Sequence, residues 1–492
     1  MTVLGLCLEV SLGQNPPQVS LDSSETLFSV LTSMNACGYD QELNTSDPLR
    51  TRIRSEVAAA VQASEEAKEA VSQMCAFYHD HLQPDPARDL AQYVSLALYL
   101  NGPPVFAAKV KDTELPPDAA AVLGFVPLVQ KFYDQANLHG IWEQHRDDYA
   151  SLTERYHEPL RKMLFDTEIY LKMPSSGYLG RQFIAYLDVM GAPSQTNARN
   201  YGADYFIVIA PSGSGFKMEE IRHTYLHYLL DPLALKNAAA MERLKPLLEA
   251  VQAAPLEGTF KNDISLLVTE CLIRAIEVRM MGNGKAPESE RTRSVEQSTR
   301  EGYVLTRYFY YALAQFEKGP VGLRNAYPDL LGAIDVHKEV KQASQTEFVK
   351  QASPELVHLS RPSNPHLLVT AEQRLSAGDS AGAQKLAQEA LAGNREDPGR
   401  ALFVLAQAAT MNRDMQGARN YFERALEVAH EPKVIAWSHI YLGRIFDLQE
   451  NREAALNHYR AALSAGGSLP EAKAAAERGL EQPYEPPASS QQ

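Results

Sequence analysis

The chain has 492 residues, 45% hydrophobic and 22% charged, and its 47 Lys and Arg against 61 Asp and Glu leave a formal net charge of -14. Such a length leaves room for several domains and a large core. The acidic excess argues against a nucleic-acid binder, which needs a basic face to neutralise phosphates, and no apolar stretch approaches the roughly 20 residues that cross a bilayer.

Residues 1–48 form an N-terminal segment. Met1 to Leu12 is apolar but broken by Glu9, and the first basic residue is Arg50, so the positive start of a signal peptide is missing. The segment reads either as the remnant of an export signal that begins upstream or as an ordinary N-terminus. A periplasmic or secreted location and a cytoplasmic one both stay open. Residues 17–48 read as irregular, with turn formers from Asn35 to Asp47. Of the four cysteines, Cys7, Cys37, Cys75 and Cys271, none forms a CxxC pair, which excludes a cysteine zinc knuckle. Cys37 and Cys75 are either a disulfide, if the protein is exported, or buried thiols.

From 49 to 341 the pattern is that of a helical domain with a small sheet. Arg50 to Tyr78 carries Val57, Ala60, Val61, Ala67, Val71 and Met74 at helical spacing, and helices are also expected over Leu90–Leu100, Ala119–Gln135 and Trp142–Phe165. Thr167–Met173, Gln182–Val189 and Tyr205–Ala210 are short, β-branched or aromatic, and bounded by turn formers at Pro174–Gly177 and Gly191–Asn200. They predict three strands of a small antiparallel sheet. A helix from about Phe216 follows and is expected to stop at Asp231-Pro232. Further helices are expected over Leu235–Ala253, Asn262–Met281, Ser294–Phe316 and Tyr327–Lys341.

The helix after the last strand carries His223-Thr-Tyr-Leu-His227. Two histidines one turn apart point the same way, which is the ligand geometry of a helical zinc site. Two ordinary histidines near a helix C-terminus, stabilised by the helix dipole and Asp231, would show the same spacing. A zinc site of this kind needs a third protein ligand. On a later helix, Glu270, Arg274 and Glu277 share a face, and Arg274 is placed to hold Glu270 as a partner behind it. An ordinary ion pair on a half-exposed helix fits that trio equally.

Strands, then Arg222-His-x-x-x-His227, then a proline, then Glu270-x-x-x-Arg274-Ala275 on a second helix, resemble bacterial gluzincin-like metallopeptidases over about 160–330. The resemblance implies an α+β zincin-like domain with zinc on His223, His227 and Glu270. It also implies a catalytic glutamate at position 224, where this chain has Thr224. A threonine hydroxyl cannot take a proton from water near neutral pH, so peptide hydrolysis is in doubt, while zinc binding is left open because the missing group is not a ligand. Glu220 and Glu277 are the substitute candidates for a base, and Tyr303 is a candidate oxyanion donor beside Tyr308, Tyr310 and Tyr311. Ser212 or Ser214 with His223 lacks the GxSxG elbow of a serine hydrolase. His79-Asp-His81 reads as an exposed turn.

After a linker at 342–364, residues 365–482 repeat themselves. Ala383, Ala418 and Ala455 recur near a 34-residue period, and Ala390, Ala425 and Ala462 follow them two turns later. Ala387, Phe422 and Tyr459 share one position, and Pro398, Pro432 and Pro470 punctuate the units. Tyr441-Leu-Gly443 with Phe446 makes the third copy the fullest, whereas the first has Ala377-Gly378 where its turn belongs. The pattern resembles tetratricopeptide repeats, which implies a C-terminal α-solenoid of helix hairpins that binds protein or peptide. The tail, 483–492, reads as disordered. The whole chain is thus expected to be mainly α with a small sheet. Its expected function is zinc-binding and metallopeptidase-like, with weak or no hydrolase activity and a repeat domain for protein partners. The alternative is a non-catalytic repeat scaffold with no metal site.

Overall fold

The computed structural model describes residues 19–485 except 111, 113–114, 174–180, 202–203, 213–214, 352–357, 361–366, 394–395 and 466–468. The expectations for Met1–Leu12, Cys7, the turn Pro174–Gly177, Ser214 and the tail from 486 lie outside the described residues. Contacts divide the chain into a front unit, Val19–Pro365, and a C-terminal unit beginning at His366. The protein is mainly α-helical with one small sheet.

The front unit begins inside the segment expected to be irregular. Strand β1 (Val19–Asp22) leads into the helix Glu25–Ala36. Ser24 caps that helix by accepting from the Leu27 N–H at 3.4 Å, and Leu27, Phe28, Val30, Leu31 and Met34 are buried all round it. A helix apolar on every side belongs inside a core, and here it packs against the helices Pro48–Ala63, Glu65–Asp80 and Pro86–Leu98.

The other strands are β2 (Gln182–Leu187), β3 (Asn197–Tyr201), β4 (Asp204–Ile209) and β5 (His358–Ser360), in the order β1-β2-β4-β3-β5. The sheet is mixed rather than antiparallel: β1 runs parallel to β2, β2 to β4 and β3 to β5, and only β3 and β4 are antiparallel. Strand β4, the continuous apolar run, is central, with Ile207 and Ile209 fully buried. Strand β3 falls in the stretch expected to be a turn. Asn-Ala-Arg-Asn-Tyr has little strand propensity, so its pairing with β4 and β5 decides its conformation. Strand β5 lies within the expected linker.

Two helix boundaries also differ from expectation. Thr167–Met173 is not a strand; it completes the helix Arg146–Leu171, where Tyr156, Leu160, Met163, Thr167 and Leu171 continue the buried stripe. The Thr167 hydroxyl is satisfied within the helix by the Met163 carbonyl, 2.7 Å away. Nor does Asp231-Pro232 end its helix, which runs from Met218 to Lys236 with Pro232 inside. A proline there leaves the Tyr228 carbonyl without its usual donor, and Arg181 supplies a replacement from its guanidinium. Leu235–Ala253 is broken into the short helices Ala238–Glu242 and Pro246–Ala250. The helices expected over Ser294–Phe316 and Tyr327–Lys341 are each divided in two, after Glu301 and after Gly332.

Among the described residues, the C-terminal unit has three helix pairs and a last helix. The pairs are Leu367–Ser376 with Ser380–Gly393, Pro398–Met411 with Met415–Val428, and Pro432–Leu448 with Arg452–Ala465; the last helix is Pro470–Glu481. Gly378 makes the first turn at φ +84°, a left-handed conformation that glycine adopts without strain. The recurring alanines are buried, as are Phe422 and Tyr459. A Cβ at Gly443 would come within 2.6 Å of the Tyr459 ring, so the residue must be small for the helices to approach. Each recurring proline stands in the first turn of a helix, where its missing N–H costs nothing. The start of the expected disordered tail is held: the Tyr484 N–H donates to Asp447 at 2.9 Å.

Two half-buried histidines of the third pair, His439 and His458, face each other with Nδ1 atoms 3.0 Å apart. One proton suffices for that contact; a second sets two N–H groups against each other. Burial, with His458 adding to it, pushes His439 down to about 4. Burial also lowers His458, with Arg419 lowering it further against the opposite pull of Glu423. Because the folded values are depressed, the unfolded chain binds more protons. The contribution to stability is therefore present above the ordinary histidine range and is lost as pH falls from about 6.5 towards 4. Thermal unfolding of the C-terminal unit is expected to shift down over that window, and less so in His439→Asn. A midpoint equally pH-dependent in the variant would contradict the assignment.

Candidate metal centre

The two imidazoles come from the helix Met218–Lys236, which leaves the sheet after β4, and the carboxylate comes from the helix Ile264–Met280 packed against it. Helical periodicity puts His223 and His227 on one face. The partner helix is capped by Asp263, which accepts from the N–H groups of Ser265 and Leu266 at 2.8 and 3.2 Å, and Leu267, Val268, Cys271 and Leu272 bury it almost all round. That burial carries Glu270 inward with only 1% of its surface exposed, beside His227 at 0% and His223 at 7%.

The three side chains converge on one point. Glu270 Oε2 lies 3.4 Å from His223 Nε2 and 3.3 Å from His227 Nε2. Among the described residues, these form the one group of three or more His, Cys, Asp or Glu side chains whose ligand atoms all lie within 4.8 Å of one another. Two ligands held about 2.05 Å from a tetrahedral metal ion stand about 3.3 Å apart, so both nitrogen–oxygen distances equal the edge of such a site. His227 Nε2 and Glu270 Oε2 are buried and meet only each other and His223, as ion pairs without hydrogen-bond geometry. Buried polar atoms are rarely left so, and a cation between them satisfies both. A buried group of these residues can therefore hold a metal ion.

Behind the three ligand atoms stands a shell that fixes them. His223 Nδ1 contacts Glu277 at 3.0 Å and His227 Nδ1 contacts Asp231 at 3.1 Å, which leaves each Nε2 to face the shared point. Asp231 in turn accepts from the Tyr205 hydroxyl of β4 at 3.0 Å. Arg274 Nε donates to the other Glu270 oxygen at 2.6 Å, lies 3.8 Å from Glu301 and stacks on the Tyr303 ring with its carbon 3.7 Å from the centroid.

The charges reinforce one another. Burial opposes the His223 cation, but Glu270 and then Glu277 outweigh it and raise the imidazole to about 10. His227 is likewise raised, burial being outweighed chiefly by Asp231. Burial would lift Glu270, yet His223 and Arg274 hold it well below the usual carboxylate range.

Position 224 supplies no base. Thr224 is fully buried, and its hydroxyl donates back to the Glu220 carbonyl at 3.1 Å. The substitutes are otherwise engaged: Glu220 pairs with Lys217 at 3.4 Å, and Glu277 is the partner of His223. Tyr303 stands ahead of the helix Thr306–Phe316 rather than on it, and its ring packs on Arg274. Tyr308 donates to the Leu330 carbonyl at 2.7 Å and Tyr310 to Glu288 at 2.9 Å, whereas Tyr311 is exposed. Ser212 makes backbone bridges with Ser46 and Gly215. His79 and His81 contact the backbone carbonyls of Cys37 and Phe77, at 3.1 and 2.8 Å.

Sequence reasoning did not find Tyr205 and Glu301, for neither has a periodic relation to the ligands. Asp231 entered only as a helix stop and a neighbour of the dipole, although its place one turn after His227 signals a partner. Comparison with known protein families, with curated proteins and with solved structures finds no match. No helix among the described residues is long and apolar enough to cross a membrane.

Proposed function

We propose that the front unit binds zinc through His223 Nε2, His227 Nε2 and Glu270 Oε2, and that it is a metallopeptidase-like protein with weak or no peptide hydrolase activity. The C-terminal unit serves as a set of tetratricopeptide-like repeats that holds a protein or peptide partner. One observation carries the zinc reading: two imidazole nitrogens and a carboxylate oxygen, all buried, stand 3.3 and 3.4 Å apart, at the spacing of adjacent tetrahedral ligands. Two nitrogens and one oxygen suit zinc among the common divalent ions.

Zinc bound there supplies Lewis acidity towards a carbonyl or a water molecule. The chain's own residues do the rest of what is visible. Glu277 and Asp231 orient the two imidazoles, and Arg274 orients Glu270 and balances its charge. Thr224 holds a backbone carbonyl and takes up no proton, so the step a glutamate performs at that position has no agent here. The buried small residues of the helix pairs support the repeat reading, since such pairs stack through small residues.

Metal analysis of the purified protein tests the site. One zinc per chain is expected, falling below about a tenth in His227→Ala, as expected for loss of one of three protein ligands. Wild-type protein that takes up no zinc leaves an ion-paired cluster in a scaffold protein, the second reading. Thr224→Glu tests the rest: zinc retained with new peptidase activity shows that only the base was lacking. Substantial activity already in wild-type protein, abolished by His227→Ala, would overturn the hydrolytic weakness.

A further inference from the structure

The front unit contains a covalent link that the metal centre does not use. Cys37 directly follows the helix Glu25–Ala36, and its N–H bonds to the last carbonyls of that helix. Cys75 sits within the helix Glu65–Asp80. Their Cα atoms are 4.9 Å apart, within the usual disulfide span, and their sulfurs are bonded. One turn beyond Cys75, His79 Nε2 lies 3.1 Å from the Cys37 carbonyl, so a second contact ties the same two elements together.

Within the loop that this bond closes lies Arg50. Its guanidinium is fully buried and donates to Asn35, Tyr39, Gln41 and Ser46 around the Cys37 end of the loop, and to Gly191 of the turn before β3. Burying a guanidinium costs several kcal/mol unless every donor finds an acceptor. Four of the five acceptors, on Asn35, Tyr39, Gln41 and Ser46, sit on the stretch that Cys37 anchors to the helix Glu65–Asp80. Cys271, by contrast, is buried on another helix and stays a thiol, pushed up to about 12 by burial.

We infer that Cys37 and Cys75 are oxidised to a disulfide in the working protein, that the chain therefore matures in an oxidising compartment, and that this bond secures the loop that seats Arg50. The reducing thiols of the cytosol keep such a pair open, whereas compartments outside it oxidise it. Forming the bond breaks two S–H bonds and releases two protons and two electrons. The electrons pass to the disulfide of a thiol–disulfide oxidoreductase, which is reduced to two thiols. This reading is independent of zinc.

The decisive measurement is the state of the two cysteines in protein taken from its source cells, with thiols alkylated at lysis. The expected result is a peptide containing Cys37 linked to one containing Cys75. Alkyl label on both without reduction would overturn the inference. The second measurement is thermal unfolding of the full chain with and without a phosphine reductant, chosen because dithiols strip zinc. Reduction is expected to lower the midpoint of the front unit by several degrees and to leave that of the Cys37→Ser, Cys75→Ser double variant unmoved. Equal midpoints for oxidised and reduced wild-type protein would overturn the role of the bond in seating Arg50. The alkylation readout does not depend on metal content, and the melts are compared at equal metal loading, so failure here is distinct from failure of the zinc site.

Discussion

Arg50→Met is expected to cost the front unit about 3–5 kcal/mol, because buried carbonyls lose their donors at about 1–3 kcal/mol each. The guanidinium has no exposed surface and spends its Nε on Asn35 at 3.0 Å, one terminal nitrogen on Gln41, Ser46 and Gly191 at 2.8, 3.0 and 3.0 Å, and the other on Tyr39 at 3.2 Å. Methionine fills a similar volume but strands the Gln41 and Gly191 carbonyls, while Asn35 Oδ1 and the Tyr39 carbonyl keep Arg54 as a donor at 2.8 and 2.6 Å; each buried orphan costs about 1–3 kcal/mol. The cation itself is uncomfortable: burial lowers its pKa, opposed by Tyr39. The seat is therefore held by geometry, a fixed fork of donors meeting fixed carbonyls, which a lysine cannot reproduce. Arg50→Lys is expected to recover less than half of the loss. The check is denaturant unfolding, with Arg52→Met as control, because that side chain of the same helix is exposed. A loss for Arg50→Met below about 1 kcal/mol, the worth of one ordinary hydrogen bond, would sink the account.

Zinc is expected to raise the stability of the front unit by about 4 kcal/mol at a free concentration 1,000 times the dissociation constant, because a ligand that binds only the folded state stabilises by mass action. The proposed ligands lie on two central helices, and the residues behind them reach further: Tyr205 of β4 stands behind Asp231, and Glu301 beside Arg274. A metal ion there clamps the sheet-following helix to its neighbour. Chelator-treated protein should melt at a lower temperature, zinc should restore the midpoint, and His223→Ala should abolish the response. An identical melt for chelated and zinc-loaded wild-type protein would show that no folded-state site exists. Asp231→Asn offers a graded test, since loss of a partner behind a ligating histidine weakens metal binding about 10–100-fold.

Much of this architecture is local enough to read from the chain. Arg146–Leu171 as far as Phe165, Ile264–Met280 and the repeat helices carry buried residues at helical spacing, and periodicity is a property of the sequence itself. The same holds for the shared face of His223 and His227. The failures occur where a distant partner decides. Asn197–Tyr201 looks like a turn and becomes a strand because β4 and β5 flank it. The helix passes through Pro232 because Arg181, far away in sequence, donates to the stranded carbonyl of Tyr228.

Periodicity, composition and small-residue spacing thus settled, without coordinates, that the chain is mainly helical with a small sheet, and where the two histidines stand on their helix. Only the tertiary structure could set Glu270 at 3.3 and 3.4 Å from them, with Tyr205 and Glu301 behind. Only it could bring Cys37 to Cys75 and five acceptor groups to Arg50. The physical reason is range: a helical face follows from bonds between neighbours, whereas convergence of side chains remote in sequence follows from how whole helices pack, which no local pattern encodes.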